Sequence, residues 1–299
     1  MSWQPHTVTS DDVLAHGPVA ALQRLFDDGT PAVGIGDALP PLWHWVALPQ
    51  WPVSSGLGPD GHPTRGSFLP PVEPPRRMFA GGEVVFHADV PVDSIVRRES
   101  EVVSVTPKTG RSGDMVIVAV ATRLYDERGT LAIEERQDLV YRGAAEPSRG
   151  SDPQPLLAQA AARLPVGSPF RRAGDWTWDL TTDPTLLMRF SAATANAHRI
   201  HYDWPYATQV ERYPGLVVHG PLMTLALAEL FRLERHAPCI ARIEHRNLRP
   251  LFCGQPARLR RTEESVSGVT VALFGPDDTR PCSTLTVQVD SAEKGLHHA

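Results

Sequence analysis

Between residues 83 and 141, valine and isoleucine recur in short runs broken by turn residues, which predicts strands at 83–90, 95–105, 114–126 and 131–141. Lys108 to Gly113 and Glu127 to Gly129 supply the intervening turns, so the run reads as an antiparallel sheet. The pattern returns later, with strands expected at 176–180, 240–248, 256–264, 269–274 and 285–289.

Helical spacing shows in two places. Val13, Leu14, Leu22, Leu25 and Phe26 fall on one side of an expected helix over 11–26, which Pro18 must start or interrupt. From Gly220 onward the chain is apolar almost all round, and a helix apolar on every face must be buried on every face. A buried helix followed by an antiparallel sheet that wraps it is the hotdog arrangement. The first half has a sheet of similar length, so the fold class expected is α+β, a double hotdog of two sheets that each wrap a helix. The domains expected are 1–150 and 151–299, joined by a Pro-, Ala- and Ser-rich linker at 143–168.

Composition narrows the class of protein. With 299 residues, 41% hydrophobic and 21% charged, the chain has room for two cores and the balance of a folded globular protein. No run approaches the roughly 20 apolar residues of a membrane span, and the first residues lack a signal-peptide pattern, so no membrane partner and a cytoplasmic location are expected. Cys239, Cys253 and Cys282 are odd in number and widely spaced, which fits reduced thiols. The net charge is −5 without a basic stripe, which argues against a nucleic-acid partner.

The 29 prolines concentrate in 31–75 and 146–184 and mark long irregular stretches, and long loops in a compact domain are more often functional than idle. Chemistry concentrates between Phe190 and Gly220. The segment Asn196-Ala-His-Arg-Ile-His201-Tyr-Asp203 sets an amide five residues before an imidazole in a stretch too polar for a core strand. His219-Gly220-Pro221 opens the buried helix, where free N–H groups and the positive end of the helix dipole gather. His198 and His201 are three apart, but no accompanying Cys or Glu pattern supports zinc, and no metal is expected.

Residues 190–222 resemble the hydratase motif of MaoC-like (R)-specific enoyl-CoA hydratases. Asn196 stands at the family's aspartate, His201 at its catalytic histidine, Asp203 at the following aspartate, and His219-Gly220 at its histidine-glycine pair. In the first half, Leu39 to Trp45, Leu57 to Pro63, Phe68 to Pro71 and Pro75 to Gly82 are similar to the N-terminal domain of two-hotdog hydratases related to hydroxyacyl-thioester dehydratase type 2. Within that group the likeness is to the mesaconyl-CoA and itaconyl-CoA hydratases.

The resemblance implies reversible addition of water to an α,β-unsaturated acyl-CoA, with citramalyl-CoA as product for the two substrates named. It implies no cofactor, CoA being part of the substrate, and a homodimer. On this reading His201 is the general base, Asn196 holds the water, and the Gly220 N–H polarises the thioester carbonyl. Arg199, His219, Asp203, Arg76, Arg77, Trp43 and Trp45 are expected at the substrate, an arginine being suited to a free carboxylate and the tryptophans to an acyl tunnel. An amide cannot exchange a proton at neutral pH, so Asn196 departs from the family in a way that loads the chemistry onto His201. Two other readings stay open: a 3-hydroxyacyl-thioester dehydratase of fatty-acid synthesis, and a non-catalytic acyl-thioester binding subunit. A thioesterase would need a carboxylate or nucleophile where Asn196 stands.

Overall fold

The computed structural model describes residues 3–110, 113–143, 167–235, 239–266 and 268–289. The β-branched runs form strands in the first half at β1 (Thr7–Val13), β2 (Arg76–Phe86), β3 (Ile95–Gly110), β4 (Gly113–Tyr125) and β5 (Leu131–Arg142). In the second half they form β6 (Phe170–Gly174), β7 (Thr177–Leu180), β8 (Ile240–Asn247), β9 (Ala257–Ser265), β10 (Gly268–Phe274) and β11 (Pro281–Val289). Between them lie α1 (His16–Phe26), the single turn α2 (His44–Ala47), α3 (Pro184–Ala193) and α4 (Gly220–Leu233).

The expectation of two sheets needs correction, because the strands build one sheet in the order β1-β3-β4-β5-β2-β8-β11-β10-β9-β7-β6. Its two halves join where β2 pairs antiparallel with β8, from Gly81 opposite Arg246 to Val85 opposite Arg242. Separate sheets would leave both strands as open edges with unpaired N–H and C=O groups, and this pairing removes both edges. Gly81 makes the join possible: a Cβ there would lie 2.4 Å from the His245 carbonyl oxygen on β8.

The helices also divide their work unequally. Helix α4 lies along the sheet as expected, against β2 and β8 to β11, burying Leu222, Leu225, Leu227 and Leu230. In the first half α1 packs on α2 and α3, and its Leu22 and Phe26 share a core with Val84, Val96 and Leu124 of the sheet. One hydrophobic core therefore runs through both halves, from Leu22 and Phe26 through Phe190 and Leu225 to Ile243 and Leu285.

Three local differences have local causes. The expected helix over 11–26 begins only at His16, because Thr7–Val13 pairs with β3; Pro18 then sits in the first turn, where its missing N–H costs nothing. Strand β2 starts at Arg76, straight after two prolines, since 76–79 find partners in 139–142. Helix α3, which hydrophobic spacing did not reveal, is announced by its cap. The Asp183 side chain accepts from the N–H groups of Thr185 at 2.6 Å and Leu186 at 3.0 Å, and Pro184 occupies the first position. The expected linker and the boundary at 150/151 lie almost wholly outside the described residues.

Candidate active site

Strand β2, the end of α3, the start of α4 and the loop over residues 57–64 surround a cavity of about 1140 Å³. Trp45, His62, Arg77 and Phe79 line it from the first half, and Asn196, His198, His201, Gly220 and Asn247 from the second.

The motif segment begins where α3 ends. Ala195 turns the chain with a left-handed φ of 52°, and Asn196 closes the turn, its Oδ1 accepting from the His198 N–H at 3.1 Å. A single 3₁₀ turn, Arg199–His201, then presents His201 to the cavity. Its Nδ1 lies 2.7 Å from the Val217 carbonyl oxygen, which can only accept, so Nδ1 carries the proton and Nε2 is bare. Behind it the His219 ring stacks at 3.6 Å, fixed by a 2.8 Å contact between its Nε2 and the Ser191 hydroxyl.

The loop from the first half is clamped onto this segment. The Arg199 N–H donates to the Asp60 carbonyl at 2.9 Å, and the Arg199 guanidinium reaches the Pro59 carbonyl at 3.0 Å. Gly61 has φ +88°, and a Cβ there would stand 1.8 Å from the Ala197 carbonyl oxygen. Next to it, Asp60 Oδ2 binds His62 Nδ1 at 2.9 Å while Oδ1 takes the His62 N–H at 3.0 Å. The His62 ring lies 4.0 Å from that of His198, which meets His201 edge-on at 5.5 Å.

Burial dominates the electrostatics. It pushes His201 down to about 3, with only the Val217 carbonyl opposing. Burial and the nearby Arg77 charge push His62 to about 4 against the pull of Asp60, and burial takes His198 and His219 well below the ordinary imidazole range. All four rings are neutral at pH 7. Burial would raise the Asp60 carboxyl, but the hydrogen bond and charge of His62 outweigh it and keep the group below its ordinary value.

At the mouth of α4, Gly220 opens the helix with an N–H that no described residue accepts, and Pro221 brings no competing donor. The Asn247 side chain lies beside it with both amide atoms buried and unpartnered. Across the cavity Arg77, beside the Tyr141 hydroxyl, makes no ion pair with any described residue. Its neighbour Arg76 is occupied by Glu211 at 2.8 Å and by Tyr213.

Thus Asn196, His201, Gly220, Arg76, Arg77 and Trp45 share the cavity wall, whereas Trp43, Arg199, Asp203 and His219 lie outside it. Trp43 is a core residue, 1% exposed, with its indole N–H on Glu229 at 3.3 Å and Arg232 over its ring, so its expected place in an acyl tunnel is corrected. Arg199 is paired with Asp203 at 2.6 Å, and both hold the turn instead of facing the cavity. His219 is sealed beneath His201 as a support.

Residues 42–253 match the sequence family described as hydroxyacyl-thioester dehydratase type 2. The chain belongs to this family. Over 260 residues it is 41% identical to the mesaconyl-C(4)-CoA hydratase of Chloroflexus aurantiacus, covering 87% of each chain. The fold is that of a MaoC-like dehydratase from Phytophthora capsici (TM-score 0.66, 14% identity, 98% of both chains). It is also that of a double-hotdog protein from Mycobacterium tuberculosis (TM-score 0.54, 18% identity, 97% of this chain and 96% of that one).

Two parts of this family member's site were not assigned roles from the sequence. Asp60 and His62 sat in a loop marked as functional, but their spacing, x-Asp-Gly-His, also suits an ordinary turn, and nothing local points to a partner near residue 198. Asn247 ends a strand and shows its orphaned amide only once Gly220 is folded beside it.

Proposed function

We propose that the protein catalyses reversible hydration of an enoyl-CoA thioester that carries a free carboxylate near its double bond, such as mesaconyl-C4-CoA or itaconyl-CoA, giving citramalyl-CoA. The observation that carries this reading is the pairing, in one cavity, of a bare imidazole and open helix-start donors with an arginine that lacks an anionic partner. The 41% identity to a mesaconyl-C(4)-CoA hydratase supports the choice of substrate. Mesaconyl-C4-CoA keeps its carboxylate on the carbon that receives the hydroxyl, and Arg77 is close enough to this centre to depress both His62 and His198.

In this reading the thioester oxygen lies against the Gly220 N–H and the Asn247 amide, which are set to stabilise the charge of the enolate. The attacking water sits at His201, whose Nε2 accepts one of its hydrogens, and Asn196 borders the same space. Arg77 binds the carboxylate as a charge-assisted pair. No cofactor or metal takes part.

The test is a hydration assay over enoyl-CoA thioesters with and without the extra carboxylate. Mesaconyl-C4-CoA or itaconyl-CoA is expected to exceed crotonyl-CoA in kcat/KM, and Arg77→Gln to abolish that preference while sparing crotonyl-CoA. Equal rates on all three in the wild type would overturn the substrate assignment, and binding without turnover would favour a non-catalytic role. We also infer a homodimer built on an open edge strand, β1 or β6, and a cytoplasmic location in keeping with the free thiols at 239, 253 and 282. Light scattering would return a monomer mass if the dimer is wrong.

A further inference from the structure

Position 196 leaves this site without the carboxylate that acid–base chemistry on water would use, yet a carboxylate is present from the other half of the chain. We propose that His62, oriented by Asp60, is the group that carries the mobile proton of the hydration reaction. The proposal rests on the hydratase reading above and assigns a role to residues outside the motif.

Two imidazoles on the cavity wall have Nδ1 tied down and no described partner for Nε2: His201 and His62. The difference lies in what holds Nδ1. When Nε2 takes a proton the ring becomes a cation, and its Nδ1–H then faces a neutral carbonyl at 2.7 Å in His201 but an ionised carboxylate at 2.9 Å in His62. A carboxylate stabilises an imidazolium far better than an amide carbonyl does, and it fixes the tautomer as well. His62 is correspondingly depressed less than His201, to about 4 against about 3, although Arg77 and Arg65 both push it down. The charged and titratable groups facing it are Asp60, Arg65, Arg77, His198 and His201.

The loop is also held as a working part would be. Gly61 packs against the Ala197 carbonyl, and Arg199 grips the backbone of Pro59 and Asp60, so His62 is fixed relative to the very segment that bears His201. In hydration, the water oxygen bonds to Cβ, the double-bond electrons move to the thioester oxygen, and one water proton passes to His62 Nε2. The imidazolium returns that proton to Cα as the thioester carbonyl reforms. The second water hydrogen remains as the product hydroxyl, held by His201 Nε2, and no proton is left over.

Asp60, His62 and His198 each offer a ligand atom within 4.8 Å of the others, the spacing of a metal cage. The Asp60–His62 hydrogen bond already satisfies one pair, and the charge of Arg77 beside both residues opposes a second cation.

The experiment uses the full chain and the thioester that the wild type hydrates fastest. His62→Gln is expected to lower kcat by about 10²- to 10⁴-fold with little change in KM, and Asp60→Asn by about tenfold or more. Free imidazole is expected to restore part of the activity of His62→Ala, which no purely structural role would produce. Should the His62 variants not fold, Asp60→Asn, nearly isosteric with the native side chain, carries the test. Near-wild-type kcat in folded His62→Gln or Asp60→Asn, or loss of wild-type activity to a chelator with recovery on adding zinc, overturns the proposal. A wild type inert on every thioester overturns the hydratase reading as well, whereas an active wild type with an unaffected His62 variant overturns this inference alone.

Discussion

The chemistry at the level of single residues turns on neutral imidazoles. His201 and His62 act with bare Nε2 atoms, and burial holds both well below 6.5, so protonation interferes only near pH 4 or lower. The acid limb of kcat/KM is therefore expected far below the ordinary histidine range, and a limb near 6.5 in a pH–rate profile would contradict the assignment. His201→Ala should lose about 10²-fold in kcat, because the water that its Nε2 holds is misplaced, while circular dichroism shows an intact fold. Turnover close to wild type in that variant would remove His201 from the site. Asn196 has a second duty that its residue type did not reveal: its Oδ1 caps the His198 N–H, a bond that an aspartate would also make. Asn196→Asp is accordingly expected to fold normally and to keep or gain activity.

Among the elements, the 57–64 loop and α4 carry the consequences. Gly61 can be only glycine, because φ +88° and the 1.8 Å approach to Ala197 both forbid a side chain. Gly61→Ala should push the loop off the motif, moving His62 by the kind of misplacement that costs about 10²-fold in rate, while the melting temperature changes little, since the loop adds little to the core. In α4, Glu229 is pushed up to about 8 by burial, although Arg232 pairs with it at 2.6 Å. The folded state therefore holds a proton there that the unfolded chain releases above about 4.5, and stability should fall as pH rises toward 8. Glu229→Gln is expected to flatten that decline in thermal melts at mildly acidic and alkaline pH. α4 itself was legible because its apolar residues surround the axis; α3 was not, because ten residues with a few buried side chains leave little periodicity, and only its Asp-Pro cap betrays it.

For the whole molecule, one sheet and a main core that runs through both halves mean that the two halves should melt together. A calorimetric scan is expected to show a single transition, and two resolved transitions would mean that the β2–β8 join is weaker than its register suggests. Buried neutral histidines at 62, 198, 201, 219 and 245 bind protons less well folded than unfolded, so stability should also fall as pH drops below 6.5. The sequence by itself determined every described strand but β1 and β6, the buried helix at 220 and the residues of the motif, because these depend on local spacing of apolar side chains and on residue types a few positions apart. Only the tertiary structure decided that β2 meets β8 in one continuous sheet, that Trp43 belongs to the core, that Arg77 lines the cavity without an ion pair to any described residue, and that Asp60 and His62 stand beside His198. Each of these is a contact between segments far apart in the chain, chosen by the closing of sheet edges and the filling of a shared core, and no local pattern encodes it.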